Sequence, residues 1–371
     1  MRKNNKEKLT TEERYYIASQ WQLMWRKFRK HRLALFGGSI LLVFYIAALF
    51  CEFFSPYDIY KRHSKYVYCP PQRIRFFDEK GFHPRPFVYG LKSKRDPVTF
   101  RRKYTIDKTK KHLLYFFVRG DKYKLWNLFP SDIHFFGVKD GIVFLFGTDK
   151  LGRDLFSRNI FASRISLSIG LVGVIISFVL GCLLGGISGY YGGTADMIIQ
   201  RVIEFLISIP TLPLWMALSA ALPPRWPPIK VYFAITIILS VVGWCGLARV
   251  VRGKLLELRE EDFVMAAIIS GASESRIISR HLLPSFLTYL IVSLTLSIPG
   301  MILGETSLSF LGLGIRPPAV SWGALLKDGQ NVRTVAQSPW LLIPAIFVIL
   351  TVLCFNFVGD GLRDAADPYK Q

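Results

Sequence analysis

Acidic residues are scarce: 26 Asp and Glu face 48 Lys and Arg over 371 residues, a formal charge of +22. Charged residues are few altogether, 20% of the chain, against about 25% in ordinary soluble domains. Apolar residues make up 51%, which excludes disorder for most of the chain, because disorder needs low hydrophobicity. The grease and the charge have to sit in different segments, as they do in a membrane protein. Catalytic patterns are missing too. There is no HExxH, no GxSxG, and no two of the six histidines stand at ligand spacing, so metallopeptidase and hydrolase chemistry has no footing. The five cysteines, Cys51, Cys69, Cys182, Cys245 and Cys354, are odd in number, and all but Cys69 lie in apolar runs. They make neither a metal pattern nor a disulfide framework. Gly147 to Asp154 has the glycine spacing of a phosphate loop, but Arg153 and Asp154 stand where that mechanism needs a lysine and a Mg²⁺-binding hydroxyl.

Long uncharged runs are abundant. A bilayer core of about 30 Å needs roughly 20 apolar residues of helix. Six segments qualify: Leu33 to Cys51, Ile165 to Ala195, Phe205 to Pro224, Val231 to Ala248, Leu282 to Leu303 and Thr334 to Val358. Backbone groups left unpaired in lipid are costly, so such runs are expected to be helices. The second run is too long for one span and is expected to turn at Gly189-Tyr190-Tyr191-Gly192-Gly193. Ten basic residues precede the first run, among them Arg2, Arg14, Lys27 and Arg32. Such a block stays on the cytoplasmic side, and six spans then place both ends there. Trp21, Trp25 and Phe28 recur at helical spacing among the basic residues, which fits a helix on the inner membrane surface or a plain cytoplasmic one.

The reading divides the chain into a cytoplasmic basic segment (1–32), a first span (33–55), an extracytoplasmic segment (56–163), a membrane core of five spans (164–359) and a cytoplasmic tail (360–371). The outer segment is rich in aromatics. Its runs Leu113 to Val118 and Ile142 to Phe146, bounded by Gly120-Asp121 and Asp140-Gly141, read as strands of a small β-rich insertion. Contact with an outer partner and capping of the spans are both open for it. No carboxylate sits in the middle of a span, which disfavours an ion-coupled transporter. Glu204 and Glu305 lie near span ends. Glu305 is a candidate for a translocation path, or a helix-end carboxylate. Pro210 and Pro213, and Pro299-Gly300, are points where spans can bend, as gates or as ordinary kinks. Gly181, Gly185 and Gly186 give a small face suited to close helix packing.

The most informative stretch is the connection of about 252–284. Glu260, Glu261 and Asp262 open a helix, complementing its dipole. Phe263, Ala266, Ala267 and Ser270 lie on neighbouring faces, and Gly271 is expected to stop the helix in a left-handed conformation. Ser273 is expected to cap a second helix with Glu274 in its first turn, and Pro284 falls where the next span begins. Ala266-Ala267, Gly271 and Leu283-Pro284 resemble the EAA loop of ABC importer permeases, with Met265 in place of the glutamate and His281 in place of an isoleucine. The likeness narrows to the dipeptide/oligopeptide family, C-type subunit. It is carried by Gly147-Thr148-Asp149, Gly152-Arg153-Asp154, Ser157-Arg158, Gly189 to Gly193 with Asp196, and Glu261 to Val264. Glu305 with Leu308 to Gly314, Ser321-Trp322-Gly323, and Gly359 to Pro368 extend it.

The resemblance implies an all-α polytopic inner-membrane protein of the six-helix type I importer fold, enlarged by the insertion between the first two spans. It implies a permease subunit, not an enzyme, forming half of a path for peptides or related solutes. Its partners would be a second permease, two cytoplasmic ATPases carrying ATP and Mg, and an extracytoplasmic binding protein. The ATPase-coupling residues would be Glu261, Asp262, Phe263, Ala266, Ala267, Gly271, Ala272, Ser273, Leu283 and Pro284.

Overall fold

A computed structural model describes residues 20–79, 81–97 and 102–367. Half of the N-terminal basic block (Arg2 to Arg14), Phe100 and Pro368 lie outside the described residues, as does the side chain of Trp21. Helix α1 (Gln20–Lys30) leads into α2 (Arg32–Leu49), capped by His31, whose Nδ1 accepts from the Ala34 amide at 3.1 Å. A short turn of helix, α3 (Cys51–Phe54), ends the first span. Four antiparallel strands follow in the order β1 (Arg75–Asp78), β2 (Gly81–Arg95), β3 (Arg102–Leu125) and β4 (Phe129–Val138). Phe87 faces Leu113 across β2 and β3, and Leu114 faces Val138 across β3 and β4.

The strand expected at Leu113 to Val118 lies inside β3, but Gly120-Asp121 is part of that long strand instead of a turn. Ile142 to Phe146 is not a strand. Side chains take up its backbone groups: the Val143 amide donates to the Tyr57 hydroxyl at 2.9 Å and the Phe144 amide to Gln72 Oε1 at 2.6 Å.

The rest is helical. Helix α4 (Leu155–Tyr191) runs unbroken for 37 residues, about 55 Å at the helical rise. The expected turn falls at its end, where Gly192 and Gly193 take φ of +66° and +56°, a region open to glycine at no steric cost. The third expected span is broken. Helices α5 (Gly193–Ser208) and α6 (Thr211–Ala220) meet at 88°. Pro210 forces Ile209 into an extended conformation (φ −89°, ψ 128°), as the residue before proline prefers. Pro213 is harmless in the first turn of α6, where no intrahelical donor is needed.

Helix α7 (Pro228–Leu258) outlasts its expected run, and α8 (Asp262–Ile269), α9 (Glu274–Arg276) and α10 (Leu283–Ser285) form the connection that follows it. Helix α11 (Leu287–Phe310) starts five residues later than expected and continues through Pro299. After α12 (Trp322–Leu326) and α13 (Val332–Gln337) comes α14 (Ile343–Ala366), so most of the expected tail from 360 is helix. Among the described residues five helices have the length and composition to cross a membrane, six if the bent pair counts as one. The main core gathers Leu41, Leu167, Ile235, Leu239, Ile302 and Trp322 between these helices.

Candidate functional site

The connection after α7 is an elbow with a core of its own. Val264 of α8 packs with Val251, Leu255, Ile277, Leu282, Phe286 and Leu290. Seven of the eight residues of α8 are apolar, and one face of a short helix cannot hide them all. Val264 is buried and Ala267 half-buried, while Phe263, Met265, Ala266, Ile268 and Ile269 are exposed, Ile269 at 84%. Ala266 and Ala267 are therefore divided: Ala266 faces out and Ala267 packs against the elbow core. The sequence reading missed Met265, Ile268 and Ile269. The signal was there, since a helix this apolar has to leave part of itself uncovered.

Helix α8 ends as expected on a left-handed Gly271, φ +76°. The Gly271 amide donates to the Ile268 carbonyl at 2.9 Å and the Ala272 amide to the Ala267 carbonyl at 3.1 Å. These two bonds and the apolar pair Ala267–Ala272 make a Schellman cap. The acidic residues sit slightly earlier than expected: Asp262 is the first helical residue, and Glu261 occupies the cap position without a side-chain bond. Ser273 likewise holds the cap position of α9, but its side chain makes no capping bond.

Beyond α9 the backbone widens into a π-helical turn over Ile277–Leu282, with the Leu283 amide bonded to the Ile278 carbonyl. Pro284, two residues past this turn, has no N–H to offer the ladder. Leu282 is the buried leucine here, Leu283 is half-buried and Pro284 exposed. Asp196 ties the elbow to the bent pair. Its carboxylate takes Nε and a terminal nitrogen of Arg252 at 2.5 Å each, a bidentate fork, and also accepts from Ser188.

The remaining candidates do not join this site. Pro210 sits at the α5–α6 bend, and Pro299 is buried within an unbroken α11 beside an exposed Gly300. Glu305 lies near the end of α11. It is fully buried and accepts from Ser309 Oγ at 2.6 Å and Ser166 Oγ at 3.1 Å. Those hydroxyls in turn accept the Ile315 and Trp322 amides at 2.9 and 3.1 Å. Glu305 thus fastens α4 and the 310–322 loop to α11. Gly314 and Gly323 belong to the same knot: a Cβ would come within 2.3 Å of Ser309 Oγ or 2.5 Å of the Thr306 carbonyl.

The glycine-rich Gly147–Asp154 turn is likewise structural. Buried Asp149 accepts from the Leu151 and Arg153 amides at 2.8 and 2.9 Å and pairs with Arg153 and Arg158. Asp154 caps α4 by accepting from the Ser157 amide at 2.7 Å. On the same side, between the sheet and the helix ends, lies a cavity of about 550 Å³ whose lining includes Glu52, Asp121, Lys124, Arg164 and Val320.

Residues 177–370 match the family model for a binding-protein-dependent transport system inner membrane component. Residues 19–71 match the N-terminal TM domain of oligopeptide transport permease C. The oligopeptide transport system permease protein OppC of Haemophilus influenzae is 47% identical over 224 residues, 60% of this chain and 70% of that protein. The dipeptide transport system permease protein DppC of Bacillus subtilis is 41% identical over 244 residues, 65% and 71% of the two chains. A solved chain of the inward-facing MetNI methionine ABC transporter is similar at 18% identity and a TM-score of 0.43, over 54% of this chain and 93% of that one.

Proposed function

Since the chain belongs to the binding-protein-dependent transport inner membrane components, we propose that it forms half of the translocation path of an ATP-driven importer for di- or oligopeptides. As a permease of this family it is a transport component, and ATP hydrolysis belongs to separate subunits. In this reading the elbow faces the cytoplasm and α8 seats in a cleft of one of two ATPases, which carry ATP and Mg. A second permease completes the path, and an extracytoplasmic binding protein delivers the solute on the side of the sheet.

The observation that carries the reading is the elbow: a short helix with most of its apolar side chains uncovered, held at a fixed angle by a left-handed glycine and braced on α7 by its own core. Closure of an ATPase around α8 would move Val264, and through Leu255 and Leu290 the ends of α7 and α11. Glu261, Asp262, Phe263 and Ala266 supply the outward surface. Ala267, Gly271, Ala272, Ser273, Leu283 and Pro284 set its geometry. Pro210, at the bend of α5 and α6, is the natural hinge for the resulting motion.

Gly271→Val tests this. A Cβ at Gly271 meets no atom within 4 Å, so the substitution acts first on the left-handed backbone. Left-handed backbone costs an L-residue about 1–2 kcal/mol, enough to lower the docked population roughly tenfold. Uptake per ATP hydrolysed in proteoliposomes is expected to fall by that order while the chain still inserts. Unchanged uptake with unchanged ATPase association refutes the assignment.

A further inference from the structure

The tip of the β3–β4 hairpin is built against its own backbone preferences. Trp126 and Asn127 are the central residues of its turn, at φ +52° and +61°, closed by the Leu128 amide on the Leu125 carbonyl at 3.0 Å. A tryptophan rarely adopts that conformation. It is held by the end of the first span: its indole N–H donates to the Leu49 carbonyl at 2.7 Å, and its ring lies 5.5 Å from that of Phe50. Phe117, also left-handed at φ +55°, lies 6.1 Å from Phe53. The sheet is thus fastened beside the last turn of α2 by aromatic contacts.

These contacts set a depth. Helix α2 has 18 residues, about 27 Å at the helical rise, close to the roughly 30 Å of a bilayer's hydrocarbon. With Arg32 at one boundary, Leu49 lies at the other, and Trp126 lies beside it. Around that point the hairpin leaves Phe117, Leu128 and Phe129 exposed at 67%, 72% and 60%. Leu42, Ile46 and Leu49 of α2 are exposed too, along one face of the span. Lys122 and Lys124 stand exposed on β3 just before the turn, suitably charged for lipid phosphates. Tryptophan at the depth where polar headgroups meet hydrocarbon is a recurring membrane anchor.

We infer that the β3–β4 hairpin is a lipid anchor, with Trp126, Leu128, Phe129 and Phe117 seated in the headgroup–hydrocarbon boundary of the leaflet at the Leu49 end of α2. This does not depend on how the elbow works. The full chain in phosphatidylcholine/phosphatidylglycerol liposomes decides it, by two measurements. The first is tryptophan quenching by lipid brominated near the top of its acyl chains, compared between the wild type and Trp126→Phe. The wild type is expected to be quenched more, with the excess lost in the variant.

The second leaves Trp126 in place. A spin label on Leu128→Cys is expected to relax more with oxygen than with a water-soluble nickel chelate. A label on Lys94→Cys, exposed at the far end of the sheet, is expected to do the opposite. Equal quenching of wild type and Trp126→Phe overturns the proposal. So does a label at 128 that behaves like the one at 94, which places the tip in water, or one shielded from both reagents, which places it against another protein.

Discussion

Asp154 shows how one residue can look like chemistry and turn out to be architecture. Its carboxylate caps α4 through the Ser157 amide and hydroxyl while only 2% exposed, and its Oδ1 has no hydrogen-bond partner. Burial, added to by the nearby Asp149 charge and opposed by the Ser157 bonds, raises its pKa from 3.8 to about 6. A raised carboxyl favours the folded state when protonated. Its contribution is therefore full below about pH 4 and is lost as pH climbs through 6. The loss approaches about 3 kcal/mol at neutral pH by the usual free energy per pKa unit. Asp154→Asn keeps a capping oxygen and removes the titration. Melting of purified protein between pH 4 and 7 is expected to fall with pH more steeply for the wild type than for the variant. Parallel curves would show that Asp154 is not the group responsible. The sequence disclosed that the Gly147–Asp154 turn fails as a phosphate loop. It could not disclose the capping role, which depends on where α4 begins.

At the level of helices and strands, the contact between α4 and α7 rests on small residues. A Cβ on Gly181 would meet Leu247 at 2.9 Å, one on Gly185 the Ala248 carbonyl at 2.5 Å, and one on Gly189 the Arg252 carbonyl at 2.8 Å. The stripe is thus 181, 185 and 189, one residue per helical turn, while Gly186 faces Ile278 across an ordinary 3.8 Å. Gly185→Val collides with backbone that no rotamer can clear. It is expected to cost about 1–3 kcal/mol as overpacking does, seen as a lower melting temperature in detergent, whereas Gly186→Ala is expected to leave it unchanged. Apolar run lengths were enough to read the existence of these helices. Their ends were harder, because α7 and α14 continue into charged sequence that a hydropathy argument stops at. The 88° break in the third span was flagged by Pro210 and yet not counted, since a proline in a membrane helix is compatible with a mild kink. The missing strand at 142–146 depended on Gln72 and Tyr57, some 70 and 86 residues away.

For the molecule as a whole, sidedness follows from which ends lie together. Lys27 Nζ donates to the Asp367 carbonyl at 3.0 Å, and the Thr288 hydroxyl approaches Met24 Sδ at 3.7 Å. Helix α1, the end of α14 and the root of the elbow therefore share one face, and the sheet lies at the opposite end of α2. A membrane-impermeant maleimide applied to intact spheroplasts is expected to label Asp140→Cys. Ser270→Cys is expected to react only after permeabilisation, and the reverse pattern would invert the proposed orientation. The elbow was legible because its glycine and alanines are local. The burial of Glu305 was not, because Ser166, Ile315 and Trp322 reach it from across the sequence.

The contact between α1 and α14 carries a consequence for biosynthesis. The carbonyl that Lys27 grips is made 340 residues after it. At roughly 5–20 residues per second, α1 waits about 20–70 s with its docking face uncovered, longer than a helix takes to form. During that interval the nascent chain needs some other cover for Phe28, and the fold can close only when α14 leaves the ribosome.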